Sequence, residues 1–155
     1  MGLSIRLYRE ALVGDIGTEL EDIEIDNAYP FGGREEPLNC GNTKAVFICR
    51  ESFGYSSYYH FRAELIRVFY GGISWEEFHQ RDEIQGGPFF DLIWFSDCEG
   101  CIGPDACKRI DDDFREYSSK TRGIDDFDNR FMPMFHRLKN LFEKAIIHDG
   151  FLIYC

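Results

Sequence analysis

Two short segments of this chain carry residues that could do chemistry. The first is Ser56, Ser57, His60 and Arg62, with Arg50 just upstream. It is the one basic, hydroxyl-rich cluster in an acidic sequence, and it lies where a helix is expected to begin. Helix starts collect unpaired N–H donors and can hold an anion. An ordinary capped helix with exposed charge explains the same residues, because a cap needs only one hydroxyl. The second is the loop Ser96-Asp97-Cys98-Glu99-Gly100-Cys101. Asp97-x-Glu99-Gly100-x-Ile102 overlays the middle of an EF-hand calcium loop. The overlay fails at its ends, where Phe95 and Ala106 stand in place of the first and last carboxylates. Cys98-x-x-Cys101, with Cys107 further on, is a partial zinc pattern, but a structural site needs four ligands and no second close Cys/His pair is present. Both motifs are incomplete, so no metal and no cofactor are expected. Asp97 and Glu99 then serve a tight turn, and Cys98, Cys101 and Cys107 are small buried apolar groups.

A joint site is the sharper expectation. Ser57, His60 and Arg62 would face Asp97 and Glu99 across a cleft, either orienting a small polar ligand or locking the loop by an ion pair from Arg62. The ion pair is the simpler of the two. No nucleophile–base pair or phosphate loop accompanies these residues, so no catalytic residue is assigned and the reading leans against an enzyme.

The elements that would position these segments are legible in outline. Leu3, Ile5 and Leu7 alternate with polar residues as in a half-buried strand. Ile23 and Ile25 alternate with acids, a pattern that suits an exposed strand protected from edge pairing. Ala45–Cys49 is an apolar run of strand length. Residues 29–42 read as a loop, and Arg50–Ser57 as a turn. Ser56 or Ser57 would cap a helix buried through Phe61, Leu65, Val68 and Phe69 and stopped at Gly71-Gly72. Ser74 and Glu77 form a capping box before a short turn anchored by Trp75 and Phe78. Phe89–Phe95 is an apolar run read as a short core helix. Pro104 opens the next helix, whose apolar face is Cys107, Ile110, Phe114 and Tyr117. Asp111, Asp112 and Asp113 are expected on its polar side. Asp125, Asp126 and Asp128 lie in an acidic loop. The last helix carries Phe131, Met134, Phe135, Leu138, Phe142, Ala145 and Ile146 at helical spacing, and Phe151–Tyr154 is a terminal strand. The expected fold is one α+β domain over residues 1–155, a small, mostly antiparallel sheet covered by three main helices.

The chain has 155 residues, of which 44% are hydrophobic, enough for a packed core. Its net charge of −11 excludes a general nucleic-acid binder, which needs a basic face, and argues against an anionic membrane surface. No apolar run has the length of a membrane span, and the N-terminus shows neither a secretory h-region nor a myristoylation signal. A cytoplasmic protein with six reduced cysteines is expected.

Tyr55-Ser56-Ser57 with Phe61-Arg62, and Ser96-Asp97-Cys98-Glu99-Gly100 with Pro104 and Cys107, resemble segments of a family of small bacterial and phage-borne proteins with no assigned function. The resemblance covers roughly a third of the chain and implies no activity. It implies that the serine turn and the acidic loop belong to one site. Where a related pattern places histidine, this chain has Phe95, which removes a polar contact.

Two functions remain in view. The first is an acidic, non-enzymatic binding protein, such as an immunity or anti-defence inhibitor acting on a basic protein partner. The second is a small-ligand or metal-binding protein, an enzyme among its forms, built on Ser56, Ser57, His60, Arg62, Asp97 and Glu99. Charge complementarity favours the first.

Overall fold

The computed structural model describes residues 2–15, 19–25, 41–95, 100–121 and 130–155. The acidic loop with Asp97, Cys98 and Glu99, the segment with Asp125, Asp126 and Asp128, and most of the 29–42 loop lie outside the described residues. The fold is α+β. Strands β1 (Gly2–Glu10), β2 (Glu21–Ile25), β3 (Gly41–Gly54), β4 (Gly100–Ile102) and β5 (Phe151–Tyr154) form one sheet in the order β2-β3-β1-β5-β4. Every pairing is antiparallel. Helices α1 (Tyr55–Phe69), α4 (Pro104–Thr121) and α5 (Phe131–Ile147) are the three long ones; α2 (Trp75–Gln80) and α3 (Phe90–Trp94) are short.

Leu3, Ile5 and Leu7 are fully buried, as their alternation predicts. β5 lies between β1 and β4, and the sheet is closed at the chain end by paired bonds between Ser4 and Cys155, 2.8 and 2.9 Å. The turn into β5 demands glycine at 150: a Cβ there would stand 2.6 Å from the Tyr8 carbonyl oxygen and 2.8 Å from a Leu7 methyl.

Three expectations need correction. β3 is not confined to Ala45–Cys49: it begins at Gly41, inside the segment read as a loop, where Gly41–Ala45 pair with β2, and it continues to Gly54 because Glu51 and Phe53 pair with Ile5 and Leu3. Its polar residues there reflect a sheet face, and Arg137 from α5 donates to Glu51 and lies 4.3 Å over the Phe53 ring. α1 therefore follows the strand directly, with Gly54 at its N-cap and no side-chain cap, so Ser56 and Ser57 sit inside the first turn rather than capping it. Asp111 is buried, not on the polar face, and pairs with Arg115 one turn later at 3.0 Å.

Asp113, expected beside it on the polar side, is half-buried and accepts the Phe89 N–H; several other local readings hold among the described residues. Ser74 Oγ accepts the Glu77 N–H at 3.1 Å. Pro104 opens α4, and Cys107, Ile110 and Phe114 are fully buried. On α5, Met134, Phe135, Leu138, Phe142 and Ala145 form the core-facing stripe. Phe114 stands between Phe89, Phe135 and Phe142 with ring centroids 5.0–5.9 Å away, edge-on to the first two and stacked on the third, so the start of α3, α4 and α5 meet through aromatic rings. Cys49, Cys101, Cys107 and Cys155 are free thiols.

Replacing Phe135 or Phe142 with alanine should lower unfolding free energy by about 3–5 kcal/mol, the cost of deleting a large core side chain. Urea denaturation of each variant measures this; two variants with the parent's midpoint would mean that α5 does not carry the core.

Candidate functional site

The Ser56–Arg62 segment occupies the first two turns of α1. Successive helical residues are rotated by about 100°, so His60 and Arg62 stand about 200° apart and look in opposite directions. Ser56 and His60 are exposed and Ser57 is half-buried, whereas Arg62 is only 2% exposed. The structure thus does not bring His60 and Arg62 together. Asp97 and Glu99 lie outside the described residues.

Arg62 is enclosed by protein. Its guanidinium lies between the rings of Tyr58 and Trp75, 4.8 Å from each centroid. Nη1 donates to the carbonyl oxygens of Ile93 at 3.2 Å and Phe95 at 2.7 Å. These carbonyls end α3, immediately before the acidic loop. A cation at a helix C-terminus meets the negative end of the backbone dipole, and stacking on two aromatic faces offsets its loss of water. Tyr58 in turn shares a buried hydrogen bond with Tyr154 of β5, 3.0 Å between hydroxyls; burial pushes the Tyr154 phenol well up from its ordinary pKa. Arg62 therefore couples α1, α2, α3 and the terminal strand.

The other end of α3 is held by α4. Asp113 accepts the Phe89 N–H, and Phe89 is buried with a left-handed backbone, φ 54°. Asp91, also buried, takes a bidentate ion pair from Arg109, with bonds of 3.1 and 3.0 Å. Tyr70 donates to the Pro88 carbonyl at 2.6 Å. Burial pushes the Asp113 carboxyl up to about 7, reinforced by the negative charges of Asp91, Glu116 and Asp112 and opposed by the Phe89 N–H. A five-residue helix cannot sustain itself; anionic groups at its start and a cation at its end supply what its length does not.

An aromatic shelf, unread in the sequence, borders the Arg62 clamp. The His79 imidazole lies between Trp75 and Trp94, 4.6 and 4.8 Å between centroids, and Tyr59 meets Trp75 at 5.2 Å. His79 Nδ1–H donates to the Trp75 carbonyl at 2.8 Å, which orients the ring. The four-residue spacing of Trp75 and His79 on one helix was the available signal. Trp94 joins them only through the tertiary fold.

Of the partial zinc pattern, Cys101 and Cys107 are described and both are buried, in different hydrophobic clusters. Cys101 packs with Tyr8, Ala45 and Phe151 in a small second cluster, while Cys107 is in the main core with its thiol directed to the Ile102 carbonyl. Burial pushes the Cys107 thiol well above its ordinary pKa, which favours the protonated form over the thiolate a metal needs. Among the described residues, no group of three or more His, Cys, Asp and Glu side chains could hold a metal ion.

Arg62→Met should remove the donor from two carbonyls and cost about 3 kcal/mol in denaturant unfolding. Arg62→Lys should recover less than half of that, because an ammonium lacks the planar face that stacks on Tyr58 and Trp75. For Asp113 the sign follows from its raised pKa. The folded state holds the proton more tightly than the unfolded chain, so the stabilisation is full below pH 3.8 and is lost as pH rises through about 7. Asp113→Asn keeps an acceptor for Phe89 and carries no charge. It should be more stable than the parent at pH 8 by about 2 kcal/mol, with the gap closing at acidic pH, in parallel denaturation curves.

The chain matches no family model, no curated protein and no solved structure.

Proposed function

We propose that this chain is a non-enzymatic binding protein that meets a basic protein partner through its acidic surface. The net charge of −11 carries the reading. It is supported by how the cations are used. Arg9, Lys44, Arg67, Arg81, Arg109, Arg115 and Arg137 each pair with a carboxylate. The carboxylates in excess set the long-range field, which speeds encounter with a positively charged surface and slows encounter with nucleic acid.

The small-ligand reading is weakened by Arg62, the one cation of its cluster with a fixed geometry. Its guanidinium is committed to backbone carbonyls and aromatic faces, and Ser56 and His60 share an exposed helix face without it. A protein that works on nucleic acid displays a basic face, and covering such a face is a task an acidic protein can perform by charge alone. An immunity or anti-defence inhibitor is the class of protein that this chemistry suits.

Affinity purification from the cells that make the protein, at low and at high salt, tests the reading. A basic protein should be recovered at low salt and depleted at high salt, and its association rate with the purified chain should fall at least about tenfold between 10 mM and 150 mM salt. A chain recovered alone under both conditions refutes it.

A further inference from the structure

The connection leaving β1 exposes apolar side chains on a rigid support. Leu12–Asp15 is a tight turn, with Asp15 N–H donating to the Leu12 carbonyl at 3.0 Å. Asp15 closes it from the inside: its carboxylate accepts the Leu12 N–H at 2.6 Å and a bidentate pair from Arg9 at 2.8 and 2.7 Å. Arg9 is on β1, so the turn is tied to the sheet and not only to itself. Asp15 is held down at about 2 by these same bonds, so the closure persists at any physiological pH. Yet the residues so carefully held are apolar: Leu12 is 67% and Val13 102% exposed. Turn tips ordinarily carry Gly, Asn, Asp or Ser.

Pairing brings two more apolar residues to this corner of the sheet. Ala11 donates to the Lys44 carbonyl of β3 at 2.9 Å. Glu21, next to Leu20, is paired with Ala45, two residues before Phe47. Leu20 is 38% and Phe47 44% exposed. Exposed Glu10, Glu19 and Glu21 border them, while the nearby cations are paired, Arg9 of β1 with Asp15 and Lys44 of β3 with Asp22.

We propose that the Leu12–Val13 turn is the anchor by which this protein docks a basic protein partner, its two side chains entering an apolar pocket rimmed by lysine or arginine. The inference rests on the reading of the chain as a binder of basic proteins, and adds where on the surface the contact is made. The charge around the turn selects the occupant, because a pocket rimmed by carboxylates would be repelled. A second copy of this acidic chain is disfavoured for the same reason. Rigidity favours affinity: a turn already fixed by Arg9 and Asp15 loses little conformational freedom on binding, and the β-branched Val13 has few rotamers to lose.

Site-specific photocrosslinking in the cells that make the protein tests this. The full chain carries p-benzoylphenylalanine at position 13, or at exposed position 116 on α4 for comparison. A basic protein crosslinked from position 13 and not from 116, whose purified form binds Leu12→Asp or Val13→Asp at least about 30-fold more weakly than the parent, is the expected result. Both variants should melt with the parent, since neither side chain is buried. A basic partner caught at 116 alone, or one bound equally well by the variants, overturns the docking site and leaves the function standing. A second copy of the chain as the crosslinked species at 13 also overturns the docking site. No basic protein at either position, together with a chain recovered alone at low salt, overturns both.

Discussion

Arg62 is the constraint on which the helical layer depends. A buried guanidinium is costly to remove from water, so it has to be surrounded by groups that replace its hydration. Tyr58, Trp75 and the carbonyls of Ile93 and Phe95 do so from α1, α2 and the end of α3. The cation could not be buried without such partners. The consequence reaches the sheet through the Tyr58–Tyr154 hydroxyl pair.

The rest of the helical layer shows the same use of charge. Asp113 and the Asp91–Arg109 pair hold the start of α3, so a helix of five residues is fixed by charged groups at both ends. This has a cost in stability as pH rises, because the Asp113 carboxyl must ionise in a desolvated place beside Asp91. Aromatic packing around Phe114 joins the start of α3 to α4 and α5, while the charged contacts hold the two ends of the short helix.

Charge inside the molecule and charge outside it therefore have different tasks. Seven of the described arginines are drawn into ion pairs or, in the case of Arg62, into the core, and the carboxylates in excess are left to define the surface. A binding role follows more readily from that distribution than chemistry does. The rigid, apolar Leu12–Val13 turn lies within the most acidic part of the chain, where residues 10–26 include seven acids and no base. In the proposed docking mode, long-range attraction and a short-range apolar anchor would share one corner of the sheet.

Local physics was enough for much of the fold. The alternation of Leu3, Ile5 and Leu7, the Ser74 cap, the Pro104 helix start and the α5 stripe each depend on residues within a few positions of one another, so the sequence by itself determined them. The net charge is also a property of the sequence alone. The candidate site was legible only as a list of residue types. Ser56 and His60 were found on the surface, but Arg62 read as part of the same polar face, because nothing local marks an arginine for burial; its aromatic and carbonyl partners come from residues 58, 75, 93 and 95. β4 is three residues long and carries no periodicity of its own, and it is a strand because β5 lies beside it. The polar end of β3 is strand for the same reason, with β1 as its partner. Asp91 interrupts an apolar run and looks like a defect until Arg109 arrives from α4. In each case the deciding contact joins distant parts of the chain, and only the tertiary structure supplies the partner that makes a polar group inside the core cheaper than the same group in water.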